Sequence, residues 1–464
     1  MGLLFYPRGG SAQVVRYLAA ALPPTGWDAS VYCGSLGPPD AETNAARFFA
    51  GLDVHALDYS NAVAAFERGD DPLVADPPLH PSFEDRAGAP DRVLAAVAPE
   101  LLERQVAAWT PVFEDGGAGD ADVFHLHHLT PQHEVVARQW PDRPVLGHLH
   151  GTELKMIEAV VRGGGRGVGR APWLHGDFWV ETMRSWAGRC ERLVVISPHD
   201  RDKAVALLGI EPARVERIAN GVDTERFTAR DLPHEERLSL LRRWLVDEAR
   251  GWDETGEPGT IRYSTAAVDG AFGNRDHPVL VYVGRFLGFK RVPLLIRAYA
   301  RARKRFATRA PLLIWGGSPG EFEGEHPYTV ARAEGVDDDV FFVGWRGHDE
   351  LPLGLNCADA LVAPSVDEPF GQVFLEAMAC KLPVVTTATG GPLSFVNTDP
   401  AAPNGWLVPP DDAGALADAL VEVVADAGER RARGERAYEM VRAEYSWRVL
   451  ARHSAALYDD LVAG

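Results

Sequence analysis

Short apolar, β-branched runs alternate with helix-like segments along this chain, in two separate series. The first opens with LLFY (3–6), a Gly-Gly turn and the helically spaced SAQVVRYLAAAL. It continues through VFHLHHL, PVLGHLH and RLVVIS. From residue 278 the pattern restarts with PVLVYVG and the basic amphipathic RVPLLIRAYARARKRF. PLLIWGG, VFFVG, ADALVAPS and LPVVTT follow, with loops and helices between them. Strands separated by helices can pair only in parallel, because a parallel neighbour needs a long crossover connection. The pattern therefore predicts an α/β protein with two parallel sheets, one per series. At 464 residues the chain also exceeds what one ordinary core supports. Two domains are expected, 1–215 and 216–446. The second carries a polar insertion at 231–277 around the amphipathic stretch HEERLSLLRRWLVDEARGW. Segments 70–90 and 162–170, rich in Pro, Gly and Asp or in Gly and Arg, read as mobile loops.

Composition narrows the partners. Hydrophobic residues make up 46% of the chain, yet no run approaches a membrane span, so no stable membrane insertion is expected. The opening MGLLFYPRGG is too short in apolar residues, and lacks the basic leader, for a signal peptide. Four scattered cysteines with no CxxC spacing predict reduced core thiols and a cytoplasmic location. Net charge is −19, and residues 1–210 alone hold 18 Lys and Arg against 27 Asp and Glu. That balance argues against nucleic acid and anionic membrane as partners. Oligomeric state is not legible. Lysine supplies only five of the 47 basic residues, which makes each lysine worth locating.

Two segments of the second series carry chemistry. In VGRFLGFKR (283–291), a strand ends and a glycine-bearing loop presents Arg285 and Lys290. Ligands of open parallel sheets bind beyond the carboxyl ends of the strands. A guanidinium fork and an ammonium point charge there suit a diphosphate. The segment is neither a GxxxxGK[ST] loop nor a GxGxxG turn. In EPFGQVFLE (368–376), Pro369 and Gly371 argue against one continuous helix. The better reading is a loop bearing Glu368, then a helix starting near Gly371 with Glu376 on its second turn. Its N-terminal amides would offer a second anion site. Two glutamates eight apart would, in isolation, describe a solvated surface helix. Beside a diphosphate site they bracket a nucleotide-sugar instead, with Glu368 towards the sugar and Glu376 towards the ribose diol.

EPFGQVFLE resembles the E-x7-E signature of retaining family 4 glycosyltransferases with the GT-B fold, and VGRFLGFKR resembles their phosphate-binding segment. IANGVDTERF (218–227) looks like their interdomain NGVD segment. The early RGG (8–10), HGTE (150–153), VISPHDRDKA, the Gly-Gly pair at 390–391, NGWLVPPDD and the C-terminal SWRVLARHSAALYDDL fall in family order. The resemblance implies two facing Rossmann-like domains with a deep cleft, and a last helix (447–464) that crosses back to the first domain. It implies that Glu368 contacts donor-sugar hydroxyls, aided by the backbone of Phe370 and Gly371. Amides of Gln372 and Val373 would face the distal phosphate, and Glu376 would hold the ribose. Arg285 and Lys290 would bind the diphosphate, and Gly10 would allow its close approach. His150 would sit by the anomeric centre, and Trp345 and Arg346 by the base. One departure is GGPLSFV, which puts Ser394 where the family often has Glu.

The implied activity is transfer of a sugar, with retention, from a UDP- or GDP-sugar to an acceptor, most simply a soluble small molecule such as a natural-product or thiol-metabolite precursor. Protein cations would stand in for a metal, so no cofactor is expected. Alternatives are cell-wall, lipid-linked or polysaccharide acceptors, a phosphorylase or hydrolase on the same scaffold, or a non-catalytic nucleotide-sugar-binding protein. VFHLHHLTPQH (123–133) raises a metal site through His125, His127, His128 and His133, which bind zinc elsewhere. With no acidic or cysteine partner nearby, these histidines are expected to line a polar cleft. Trp173, Phe178 and Trp179 could line an acceptor pocket, or belong to the core.

Overall fold

The computed structural model describes residues 1–85, 88–163 and 172–463. It divides into two compact units, one of residues 1–220 with 447–464 and one of residues 221–446. The boundary falls at Asn220 rather than 215, because a short strand at 215–217 still belongs to the first sheet.

The first unit holds a seven-stranded parallel sheet in the order β3-β2-β1-β4-β5-β6-β7. The strands are β1 (Gly2–Leu3), β2 (Ser30–Ser35), β3 (Asp53–Asp58), β4 (Phe124–His127), β5 (Val145–Leu149), β6 (Arg192–Val195) and β7 (Val215–Arg217). The order reverses between β1 and β4, which pair directly. Helix Gly9–Ala21 follows β1 and buries Val14, Val15 and Leu18, at the spacing of one helix face. The C-terminal helix Trp447–Ala463 buries Trp447, Leu450, Ala451 and Tyr458 against Val14 and Leu18 and against Leu146 and Val194 of the sheet.

The second unit holds a six-stranded parallel sheet in the order β10-β9-β8-β11-β12-β13. Its strands are β8 (Leu280–Val283), β9 (Leu312–Trp315), β10 (Val340–Gly344), β11 (Ala360–Ala363), β12 (Val384–Thr387) and β13 (Gly405–Val408). Every residue of β9, β11 and β12 is buried, as expected where helices cover both faces of a parallel sheet.

The 231–277 insertion is built around helices His234–Arg242, which holds the start of the amphipathic stretch, and Thr265–Phe272, with a π-helical turn at 243–247 directly after the first. It covers the open edge of the sheet at β10. The Tyr263 hydroxyl accepts from the Phe342 amide at 2.8 Å and donates to the Val340 carbonyl at 3.3 Å, so edge groups that would otherwise recruit another strand are occupied. Trp244 packs edge-on against Trp315, with ring centroids 4.9 Å apart, and donates to Glu350 at 2.6 Å. One expectation needs correction: residues 70–85 are not a mobile loop. Leu73, Leu79, His80 and Phe83 are buried, and the Gln105 amide donates to the carbonyls of Pro78 and Leu79 at 3.1 and 2.8 Å. The Pro-rich composition marks an irregular path, but the apolar residues between the prolines carry it into the core. Residues 164–170 of the other loop lie outside the described residues.

Tyr263→Phe is expected to cost about 1 kcal/mol by stranding the Phe342 amide. The check is a lower urea midpoint together with faster hydrogen exchange at Phe342.

Candidate functional site

The second sheet reverses its order between β8 and β11, which pair through Leu280 with Ala360 and Val281 with Leu361. The loops leaving these two strands emerge side by side at the carboxyl edge, where open α/β sheets bind ligands. One carries Arg285 and Lys290 and the other Glu368. They are tied together by the Val366 amide, which donates to the Phe289 carbonyl at 2.8 Å. Lys290 Nζ donates to Glu368 Oε2 at 2.5 Å, both side chains being largely buried. Arg285 is half-buried at the start of its loop, and the Tyr282 hydroxyl donates to its carbonyl at 2.9 Å.

Helix Gln372–Ala379 starts at Gly371, whose φ of +87° suits glycine. Among the described residues no side chain caps it, and its first turn holds no acid. The N–H groups of a first turn have no partner inside the helix, so this end can receive an anion. Glu376 lies on the second turn, and its carboxylate meets His348 Nε2 at 3.0 Å. His348 was not singled out from sequence, and an isolated histidine in GWRGHDE gives no signal that would have found it.

The loop after β12 supports the Glu368 loop from behind. The Gly391 amide donates to the Glu368 carbonyl at 2.7 Å, and Thr387 Oγ1 donates to the Ser365 carbonyl. A Cβ on Gly390 or Gly391 would strike the backbone of Glu368 or Phe370, so the pair is required for close approach rather than for flexibility. Ser394 does not reach into the site by its carbonyl, which accepts from the Tyr445 hydroxyl at 2.8 Å.

Arg346 departs from the reading placed on it. Its side chain is fully buried and donates to the carbonyls of Trp244, at 2.7 Å, and Glu248, pinning the 231–277 segment to the sheet. Burial pushes its pKa down to about 10. Trp345, in contrast, is half exposed.

In the first unit, the order reversal sits between β1 and β4. The loop after β1 carries Arg8, Gly9 and Gly10. Gly9, at φ +73°, makes the turn, and Gly10 is exposed on the first turn of the following helix. Arg8 donates to the Tyr6 hydroxyl at 2.7 Å and pairs with buried Asp91. After β5, Gly151 (φ +87°) opens helix Thr152–Val161, and buried Glu153 accepts from the His150 amide at 3.1 Å, with His128 Nδ1 3.3 Å away. Burial raises the Glu153 pKa, but His128 and the amide bonds outweigh it and hold the group below the usual carboxylate value.

His125, His127, His128 and His133, expected as a polar lining, are enclosed side chains of the first unit. His125, His127, His128, His133, His148 and His150 are all buried, at 0–8% exposure. Alternate residues of a strand share a face, and β4 lies in register with β5, so His125, His127, His148 and His150 stack on one face of the sheet. Trp179 belongs to the core, donating to the Val97 carbonyl at 2.7 Å, while Phe178 is partly exposed.

Residues 8–226 match the family model described as Glycosyltransferase Family 4, and residues 270–440 match Glycosyl transferases group 1. A D-inositol 3-phosphate glycosyltransferase of Kribbella flavida is 33% identical over 58% of this chain and 56% of its own length, so that match spans about half of the relative. The enzyme of the same name from Salinispora arenicola is 28% identical over 80% of this chain and 76% of its own length. Among solved structures, the Anabaena protein Alr3699/HepE in complex with UDP-glucose has the same fold, with a TM-score of 0.63 over 99% of each chain at 17% identity. With both units accounted for by the two models, the chain belongs to the family 4 glycosyltransferases and has the GT-B fold. No helix among the described residues is long and apolar enough to cross a membrane.

Gly391→Ala is expected to push the Glu368 loop off its support at a cost of about 1–3 kcal/mol. A lowered melting temperature, with far-UV circular dichroism unchanged at 20 °C or so, checks it.

Proposed function

We propose that this glycosyltransferase moves a sugar, with retention of anomeric configuration, from a nucleoside-diphosphate sugar to a small hydroxyl- or thiol-bearing acceptor. The observation that carries the reading is the Lys290–Glu368 ion pair at the order reversal of the second sheet, beside the uncapped N-terminus of helix Gln372–Ala379. Without a ligand, cation and carboxylate neutralise each other. A nucleotide-sugar offers each a better partner, phosphate for Lys290 and sugar hydroxyls for Glu368. Glu376, already anchored by His348, is oriented to accept from a ribose diol.

Departure of the nucleoside diphosphate builds charge on the leaving oxygen. Arg285, Lys290 and the amides of Gln372 and Val373 form a preorganised set that meets this charge, in the role a metal has in other transferases. Glu368 holds the sugar and is not a glycosidase-type nucleophile. Attack comes from the face the leaving group vacates, with the departing phosphate taking the acceptor proton. His150, Gly10 and Trp345 are assigned to the sugar, diphosphate and base in turn. UDP is the first nucleotide to test, since the Anabaena neighbour was solved with UDP-glucose. A phosphorylated polyol is the first acceptor, given the relatives named for D-inositol 3-phosphate. A cytoplasmic setting accords with four buried, unpaired cysteines.

Arg285→Ala and Lys290→Ala are each expected to lose about 2.7–4 kcal/mol of transition-state stabilisation, read as kcat/KM over a panel of nucleotide-sugars and acceptors with products identified by mass spectrometry. Wild-type rates in both variants would remove the diphosphate assignment. The two glutamates should fail differently. Glu376→Ala weakens the nucleoside diphosphate itself by about 1.5–3 kcal/mol. Glu368→Ala leaves that affinity nearly intact, but lowers turnover and blurs discrimination among donor sugars. Calorimetry with the diphosphate beside kinetics with the full donor separates them, and equal loss of diphosphate affinity in both variants refutes the division of roles.

A further inference from the structure

Three imidazoles of the first unit, His125 and His127 on β4 and His148 on β5, bring one ring nitrogen each within 4.8 Å of one another. All three residues are at most 3% exposed. From sequence, His125 and His127 stood out together with His128 and His133, and no histidine of β5 did. The third comes from the neighbouring strand, where His148 pairs in register with His127.

Their hydrogen bonding does not close. A neutral imidazole carries one N–H and one lone pair, so each ring needs one acceptor and one donor. His125 is engaged on both sides, by the Tyr458 hydroxyl at Nδ1 (2.6 Å) and by His148 Nδ1 at Nε2 (3.0 Å). His127 Nδ1 is engaged by His150 Nε2 at 3.0 Å. His127 Nε2 and His148 Nε2 are buried with no hydrogen-bond partner among the described residues. Whichever tautomers are drawn, two polar atoms on one face of the sheet are left unsatisfied, at a cost of roughly 1–3 kcal/mol each.

We infer that this face holds one divalent d-block cation, zinc in the first place, bound by His125, His127 and His148. Imidazole nitrogens suit such an ion, and only the neutral ring binds it. The surroundings supply the outer hydrogen bonds that orient metal-binding histidines: Tyr458 on Nδ1 of His125 and His150 on Nδ1 of His127. Because Tyr458 belongs to the C-terminal helix, the ion would fasten that helix to the centre of the sheet. Three protein ligands leave one position of a tetrahedral ion to a buried water, and enclosure keeps that position from substrate. The site shares no residue with the donor-binding groups of the second unit, it is hydrogen-bonded to the residue assigned to the sugar, His150, through His127, and its test does not read transfer activity.

The full-length chain, made in zinc-supplemented medium with a tag that binds no metal, is dialysed and assayed by inductively coupled plasma mass spectrometry. About one zinc per chain is expected, released to a chromogenic chelator only on unfolding in guanidinium. His127→Gln and His148→Gln should each fall to roughly a tenth of that, while His133→Gln, whose ring contacts Thr130 instead, retains it. Should the first two variants fail to fold, wild-type protein refolded with one equivalent of Co²⁺ decides, by the visible ligand-field band of an enclosed nitrogen-bound ion. Wild-type protein that carries under about a tenth of an equivalent and takes up no Co²⁺ overturns the proposal in favour of buried water, as does full occupancy in both His127→Gln and His148→Gln.

Discussion

The parallel pairing of β8 with β11 is the constraint on which the donor-side geometry rests. Elsewhere in that sheet, successive strands are laid down outward from β8, first towards β10 and then, after the chain returns, towards β13. Only at the β8–β11 seam do the connections leave in opposite directions, opening a crevice at the carboxyl edge. Two residues 78 apart in sequence, Lys290 and Glu368, are brought to 2.5 Å there. An ion pair this enclosed is a poor source of stability, because desolvating both groups offsets much of their attraction. Under the donor role proposed above, each charge is held ready for a ligand that presents the opposite charge or a set of hydroxyls.

Holding those charges in place falls to backbone packing. Gly390 and Gly391 let the loop after β12 lie directly against Glu368 and Phe370, and the Gly391 amide fixes the Glu368 carbonyl. A larger residue would move the loop by more than a hydrogen bond tolerates. Rigidity here matters chemically, since small displacements of a positioned group are costly to reaction rate.

Much of this was legible in sequence because it depends on local rules. A strand, a glycine turn and a helix can each be read from a few residues, so both sheets and the loops bearing Arg285, Lys290 and Glu368 were recoverable. β2 and β3 were not: β2 (SVYCGS) is almost wholly buried but broken up by Ser and Gly, and the edge strand β3 (DVHALD) is partly exposed and carries Asp and His, so neither presents an apolar run. Arg346 misled for a different reason. A cation in a loop beside a tryptophan reads as ligand-facing, and only the fold of residues 243–248 shows two carbonyls already waiting for it. The 70–85 segment looked mobile from its prolines, yet proline limits regular structure without preventing burial. His348 was invisible because its partner, Glu376, lies 28 residues away.

The histidine face was half legible, and the missing half changes its meaning. Period-two spacing placed His125 and His127 on one side of β4, but two histidines make a polar strip and nothing more. Register with β5 adds His148 and His150 to that side, and the C-terminal helix adds Tyr458. A sheet face beneath a helix ordinarily carries aliphatic side chains, as Leu146 and Val194 do a few ångströms away in the same layer. Replacing them with four imidazoles exchanges apolar burial, about 25 cal/mol for each Å², for groups that must be satisfied one atom at a time. Two of those atoms remain unpaired by protein. A core built this way is coherent only if something else completes it, and the completing species has to accept lone pairs, donate hydrogens, or do both from inside the fold.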